Sequence, residues 1–170
     1  KGSSITGNVP LGVDGDTATG SNADTLTLNA SSITGNVGTG SGADTISLTN
    51  TSTITGNVAM GSGADSVSVL HASTITGRVS LGTNSDSSDG ADNLTVTGAD
   101  STNKSVITGS ISTGAGGDSV SFTDATIGGS DQTLSLGSDS NSLDGADSLI
   151  GSNTALTATV TTGSGADSID

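Results

Sequence analysis

The chain has 170 residues, 17 acidic side chains that are all Asp, and 3 Lys and Arg, for a formal charge of -14. That balance excludes a nucleic-acid binder, which needs basic side chains to displace counterions from phosphate; the absence of Cys excludes disulfides. Ser, Thr and Gly number 31, 28 and 27, Glu is absent, and the 34 Ile, Val, Leu and Phe sit at the border of disorder, so the composition favours turns and strands, and either the chain is unfolded or something beyond an ordinary core holds it.

Two strings alternate along the chain. One reads Ile-Thr-Gly and starts at Ile5, Ile33, Ile54, Ile75 and Ile107, with degenerate copies at Ile127 and Leu156. The other is a Gly-rich turn that closes on Asp24, Asp44, Asp65, Asp92, Asp118, Asp147 and Asp167. Successive starts lie 28, 21, 21, 32, 20 and 29 residues apart, which predicts seven coils of about 21 residues, some carrying inserts. Inserts are expected at 12–24, 82–92 and 137–147 before the Asp, at 97–104 and 148–155 after it, and near 128–133.

After each Asp the apolar residues alternate with Ser, Thr or Asn: Leu26 and Leu28, Ile46 and Leu48, Val67 and Val69, Leu94 and Val96, Val120 and Phe122. Period two means a strand with one apolar face. The Ile-Thr-Gly string gives Ile5 and Val9, Ile33 and Val37, Ile54 and Val58, Ile75 and Val79, Ile107 and Ile111, read as a second strand whose inward row holds a Gly that marks a bend or a close approach of the two walls. A lone pair of such strands buries nothing, but stacked copies share a continuous thin core. The sequence thus predicts an all-β parallel β-solenoid over 1–170, roughly 30–35 Å tall, with Ser and Thr outside. No apolar run reaches transmembrane length, so membrane insertion is not expected.

The Asp closing each turn shares parity with the buried residues. Asp24, Asp44, Asp65, Asp92, Asp118, Asp147 and Asp167 are therefore expected in one column at the inner edge of a corner. Neighbours about 5 Å apart repel by about 0.8 kcal/mol in water and about 3 kcal/mol at an effective dielectric near 20. Divalent cations between them would relieve that. Ca²⁺ fits best, because it takes six to eight oxygens, accepts backbone carbonyls and tolerates irregular geometry. His, Cys and Glu are missing from the turns, which argues against zinc, iron or copper. Asp14, Asp16, Asp86, Asp89, Asp139 and Asp144 fall in the inserts, and Asp89 and Asp144, three residues before ladder members, are candidate auxiliary ligands. Asp100 is not expected to join, since no alternating strand follows it.

The string Gly-Ser-Gly-Ala-Asp-Thr-Ile-Ser-Leu at 40–48, with copies at 61–69 and 163–169, resembles the RTX calcium-binding nonapeptide Gly-Gly-x-Gly-x-Asp-x-U-x. The resemblance implies a parallel β-roll with Ca²⁺ between turns, in a secreted bacterial protein that needs the metal to fold. It covers the Asp side of each coil only, so it implies one metal ladder where a regular RTX roll has two. More loosely, the chain is similar to repeat regions of bacterial surface adhesins and extracellular fibres.

These readings predict a structural, calcium-binding, extracellular or cell-surface module, part of a longer array or a fibre that self-associates end to end. No residue pattern names a surface or matrix ligand. Ice binding through outward Thr rows is a second reading, and a non-catalytic module of a secreted polysaccharide-active enzyme a third. No enzyme activity is expected: the chain lacks an aromatic sugar platform and has no coil unlike the others. His71 is read as a surface residue, Arg78 as a solvated or inter-coil contact, Phe122 as core and Pro10 as a local irregularity.

Overall fold

The computed structural model describes residues 2–12, 22–82, 88–137 and 143–170. Asp14, Asp16, Asp86 and Asp139 lie outside the described residues. The chain winds as a parallel solenoid whose coils contribute one strand to each of three seven-stranded sheets. The first wall stacks Ser4–Thr6, Ser32–Thr34, Thr53–Ile54, Thr74–Ile75, Ser105–Ile107, Ala125–Ile127 and Ala155–Leu156. The second stacks Val9–Pro10, Val37–Ser41, Val58–Ser62, Val79–Ser80, Ile111–Ser112, Thr133–Ser135 and Thr159–Thr161. The third, following the Asp turns, stacks Thr25–Asn29, Thr45–Thr49, Ser66–Leu70, Asn93–Thr97, Ser119–Thr123, Ser148–Ser152 and Ser168–Ile169.

Three walls replace the two strands per coil expected from the alternation. The Ile-Thr-Gly-Asn-Val string turns a corner at Gly-Asn instead of running straight, and Ile and Val keep the same parity on either side of it. In the close-stacked coils this corner needs glycine: a Cβ on Gly56 would stand 2.1 Å from the carbonyl oxygen of Gly35 in the coil before.

Register holds the apolar residues in columns. Ile33 pairs with Ile54, Ile54 with Ile75, Ile75 with Ile107, and Ile107 with Ile127. Val37 pairs with Val58 and Val58 with Val79 in the second wall, and Leu94 with Val120 in the third. These side chains are fully buried, each worth about 1.5–3 kcal/mol relative to exposure. Phe122 lies in the core and pairs with Gly151, so the largest inward side chain stands beside a residue that has none. At the two ends the same rows are open, with Ile5 47% and Ile169 64% exposed.

Two smaller expectations change. Ser148–Ser152 is a regular third-wall strand paired with Ser119–Thr123, so 148–155 holds no insert. Pro10 is no irregularity either: it pairs in register with Gly38. Val9 and Leu11 donate their amides toward the second coil, so the intervening Pro10 nitrogen faces the open edge and no ladder bond is lost. The insert at 97–104 stands, as a loop between the third and first walls.

Candidate functional site

The corner between the second and third walls is built by Gly-rich turns. Gly61 and Gly63 have φ of 108° and 131°, a region that favours glycine. A Cβ on Gly63 would stand 1.8 Å from the Gly42 carbonyl oxygen, so the turns stack this closely only without side chains. Each turn delivers its Asp to the inner edge, and Asp44, Asp65, Asp92, Asp118 and Asp147 are 1–2% exposed. Asp24 and Asp167, in the end coils, are half-buried.

All seven predicted ladder residues fall in one column, linked in one direction. The backbone N–H of Asp24 donates to Asp44 Oδ1 at 2.7 Å, that of Asp44 to Asp65 Oδ1 at 2.8 Å, and that of Asp65 to Asp92 Oδ1 at 2.7 Å. Asp92 continues to Asp118 at 2.9 Å, Asp118 to Asp147 at 2.7 Å, and Asp147 to Asp167 at 3.0 Å. The Asp carbonyls accept amides from the following coil, such as Ser66 N–H on Asp44 and Ser119 N–H on Asp92. One atom per rung remains outside this network: Oδ2 of Asp44, Asp65, Asp92, Asp118 and Asp147 is buried with no hydrogen-bond partner.

A buried carboxylate with one oxygen unsatisfied holds its charge poorly. Burial pushes Asp92 up to about 9 from an ordinary 3.8, against the pull of the Asp65 amide and with added repulsion from Asp89, Asp118 and Asp65. Burial likewise raises Asp65 and Asp147 to about 7, with repulsion from ladder neighbours adding to it. Asp118 also moves up, first by burial and then by repulsion from Asp144. The column therefore calls for a proton or a cation.

The expected auxiliary residues reach the same corner. Asp89 Oδ2 accepts the Ala115 N–H at 2.9 Å, and Asp144 Oδ2 accepts the Ser164 N–H at 2.7 Å. Asp100 stays out, as expected. It is exposed, and its carboxylate collects the Thr102 and Asn103 amides, the Thr102 hydroxyl and the Asn103 side chain, which hold it far below the usual range.

Does this corner fit the expected calcium? The donors are all oxygen, and five consecutive rungs carry a buried carboxylate oxygen without a partner, which suits a hard cation. Among the described residues, no three acidic or imidazole side chains converge as a metal-holding group. A bound cation would therefore need Oδ2 atoms complemented by turn carbonyls or water.

The other two corners carry ladders that the sequence reading did not assign. At the Gly-Asn corner, Asn36 N–H donates to Asn8 Oδ1 at 3.0 Å, Asn57 N–H to Asn36 Oδ1 at 2.8 Å, and Arg78 N–H to Asn57 Oδ1 at 2.9 Å. Between the third and first walls, Ser31 N–H donates to Ser52 Oγ at 3.2 Å and Ser52 N–H to Ser73 Oγ at 3.1 Å. Ser52, Ser73 and Ser105 are wholly buried. Their signal was in the sequence: Ser stands two residues before Ile at 31, 52, 73 and 105, with inward parity. Three coils turn this corner without glycine, placing Ala30, Thr51 and Ala72 at positive φ, and His71 is exposed there.

In comparisons with known proteins, no family model, no curated protein and no solved structure matches the chain.

Proposed function

We propose that this chain is a structural repeat module of an extracellular bacterial fibre or adhesin, stiffened by Ca²⁺ along the Asp24–Asp167 column. The observation that carries the reading is the buried, partnerless Oδ2 on five consecutive rungs. The amide is already capped through Oδ1, and the second oxygen is a repeated, costly surplus of negative charge unless a cation meets it. RTX-like turns and an exterior of Ser and Thr support the same reading. Circular dichroism during a calcium titration tests it. The chelated chain is expected to lose β-structure at neutral or higher pH, and millimolar calcium to restore it. Identical spectra and melting in chelator and calcium would sink the calcium reading.

The ladder's single direction supports end-to-end assembly. Each Asp amide donates to the carboxylate of the following coil, so a further coil or a second copy stacked in the same parallel sense continues the ladder with the same bond. Filaments in calcium that disperse in chelator are expected by electron microscopy; isolated particles in both conditions would refute the stacking.

Ice binding is the second reading, and one observation favours it. Thr34, Thr55, Thr76 and Thr108 are exposed and follow consecutive inward Ile residues of the first wall. Thr76 and Thr108 hydroxyls are held by the Thr55 and Thr76 carbonyls at 2.9 Å. Thermal hysteresis in the calcium-loaded protein is the expected sign, and its absence removes this reading.

A further inference from the structure

Two coils close their inserts in the same way. Leu-Gly at 81–82 and at 136–137 leads into an insert, and each insert ends on Asp-Gly-Ala-Asp, at 89–92 and 144–147. Asp89 and Asp144 occupy the place that Ser41 and Ser62 hold in uninserted coils, three residues before the ladder Asp. Each is locked into the corner by two contacts. Its Oδ2 takes the amide of the next coil, Ala115 or Ser164. Its carboxylate also packs against a bare glycine: a Cβ on Gly82 would stand 1.9 Å from Asp89 Oδ2, and one on Gly137 2.1 Å from Asp144 Oδ2. These two coils therefore bring two carboxylates to the corner where an uninserted coil brings one.

An acidic pair alone is no site. Here the partner in each pair, Asp92 or Asp147, is 2% exposed and carries an Oδ2 with no hydrogen-bond partner, as does Asp118 in the coil between. We infer that Asp89 with Asp92, and Asp144 with Asp147, form two divalent-cation sites distinct from the other rungs, and that these two fill first. The inference rests on the cation reading of the column. Its physical basis is charge: a second fixed carboxylate from the same coil adds both attraction and an oxygen ligand for a hard cation.

Calcium titration of the full chain in competition with a chromophoric chelator tests this, with the wild type beside a double Asp89→Asn, Asp144→Asn variant. Asn keeps an oxygen for the Ala115 and Ser164 amides, so the inserts stay pinned. The wild type is expected to bind two ions in a tight class and further ions more weakly. The double variant should lose the tight class, with affinity falling by about tenfold or more, and retain the weaker one. If the double variant does not fold in calcium, each single variant should lose one tight ion and keep the other. A single class of equivalent sites, indifferent to these substitutions, overturns the inference and leaves the cation ladder standing. Absence of calcium binding in the wild type overturns both.

Discussion

The Asn corner and the Asp corner meet the same need with opposite chemistry. At each, a backbone amide at a bend points along the solenoid axis and takes a side-chain oxygen from a neighbouring coil. Asn36 and Asn57 do this at an exposed corner, their amides taking a neutral side-chain oxygen from the coil before. Asp44 to Asp147 do it at a buried corner, with acids, toward the coil after. A neutral side-chain oxygen is thus enough to cap a corner amide in this protein. Placing an acid where water is excluded adds a desolvation cost that capping does not require. The difference teaches that amide capping accounts for only one oxygen of each buried acid and leaves the other unsatisfied.

The largest way to separate the two corners is pH, because only one of them titrates. In calcium-free protein, Asp65, Asp92, Asp118 and Asp147 all have folded values raised by burial. The folded state then binds protons more tightly than the unfolded state. Their contribution to stability is full below the ordinary 3.8 and is lost as pH rises, through about 7 for Asp65 and Asp147 and about 9 for Asp92. Urea unfolding in chelator should show stability falling across that window, and saturating calcium should flatten the slope. A calcium-free stability that rises with pH over this range contradicts the buried-acid account.

Substitution at one rung comes next. At pH 6, Asp92→Ala strands the buried Asp65 amide and is expected to cost about 1–3 kcal/mol. Asp92→Asn keeps an oxygen acceptor and should cost less, while reducing the stabilisation gained from calcium. Equal losses in the two variants would show that the carboxylate oxygen is not the cap. A smaller effect is expected at the third corner. Ser52→Ala removes the acceptor of the Ser31 amide and the donor to the Thr49 carbonyl, at about 1 kcal/mol, independent of calcium and pH. Smallest is Asn57→Ala, where water replaces the lost oxygen for the Arg78 amide. About 0.5 kcal/mol or less is expected from the same unfolding measurement, and a loss as large as that of Asp92→Ala would erase the contrast between the corners.

Much of this architecture was legible as spacing. Seven Asp turns, with five Ile-Thr-Gly strings and two degenerate copies, count the coils, and the shared parity of Asp44, Ile46 and Leu48 places the carboxylate on the core side before any coordinates. The third wall was hidden because Ile33, Gly35 and Val37 alternate as one strand would. The bend between them conserves parity, so periodicity carries no trace of it. The step from Asp147 to Leu156 read as an insert because Leu149 is followed by Ile150 and Gly151, which blur the alternation. The Ser ladder was overlooked for a related reason: a small polar residue with inward parity reads as a break in the apolar row. Its oxygen finds a use only when another coil lies beside it.

By itself the sequence determined everything set by repetition and period: the number of coils, which residues face inward, and that the acids form a column. Tertiary structure alone decided where each polar atom finds its partner. Asp65 Oδ1 meets the Asp44 amide, while Asp65 Oδ2 meets nothing in the protein. That distinction depends on the direction in which one coil leans on the next, a relation between segments about 21 residues apart that no local pattern encodes.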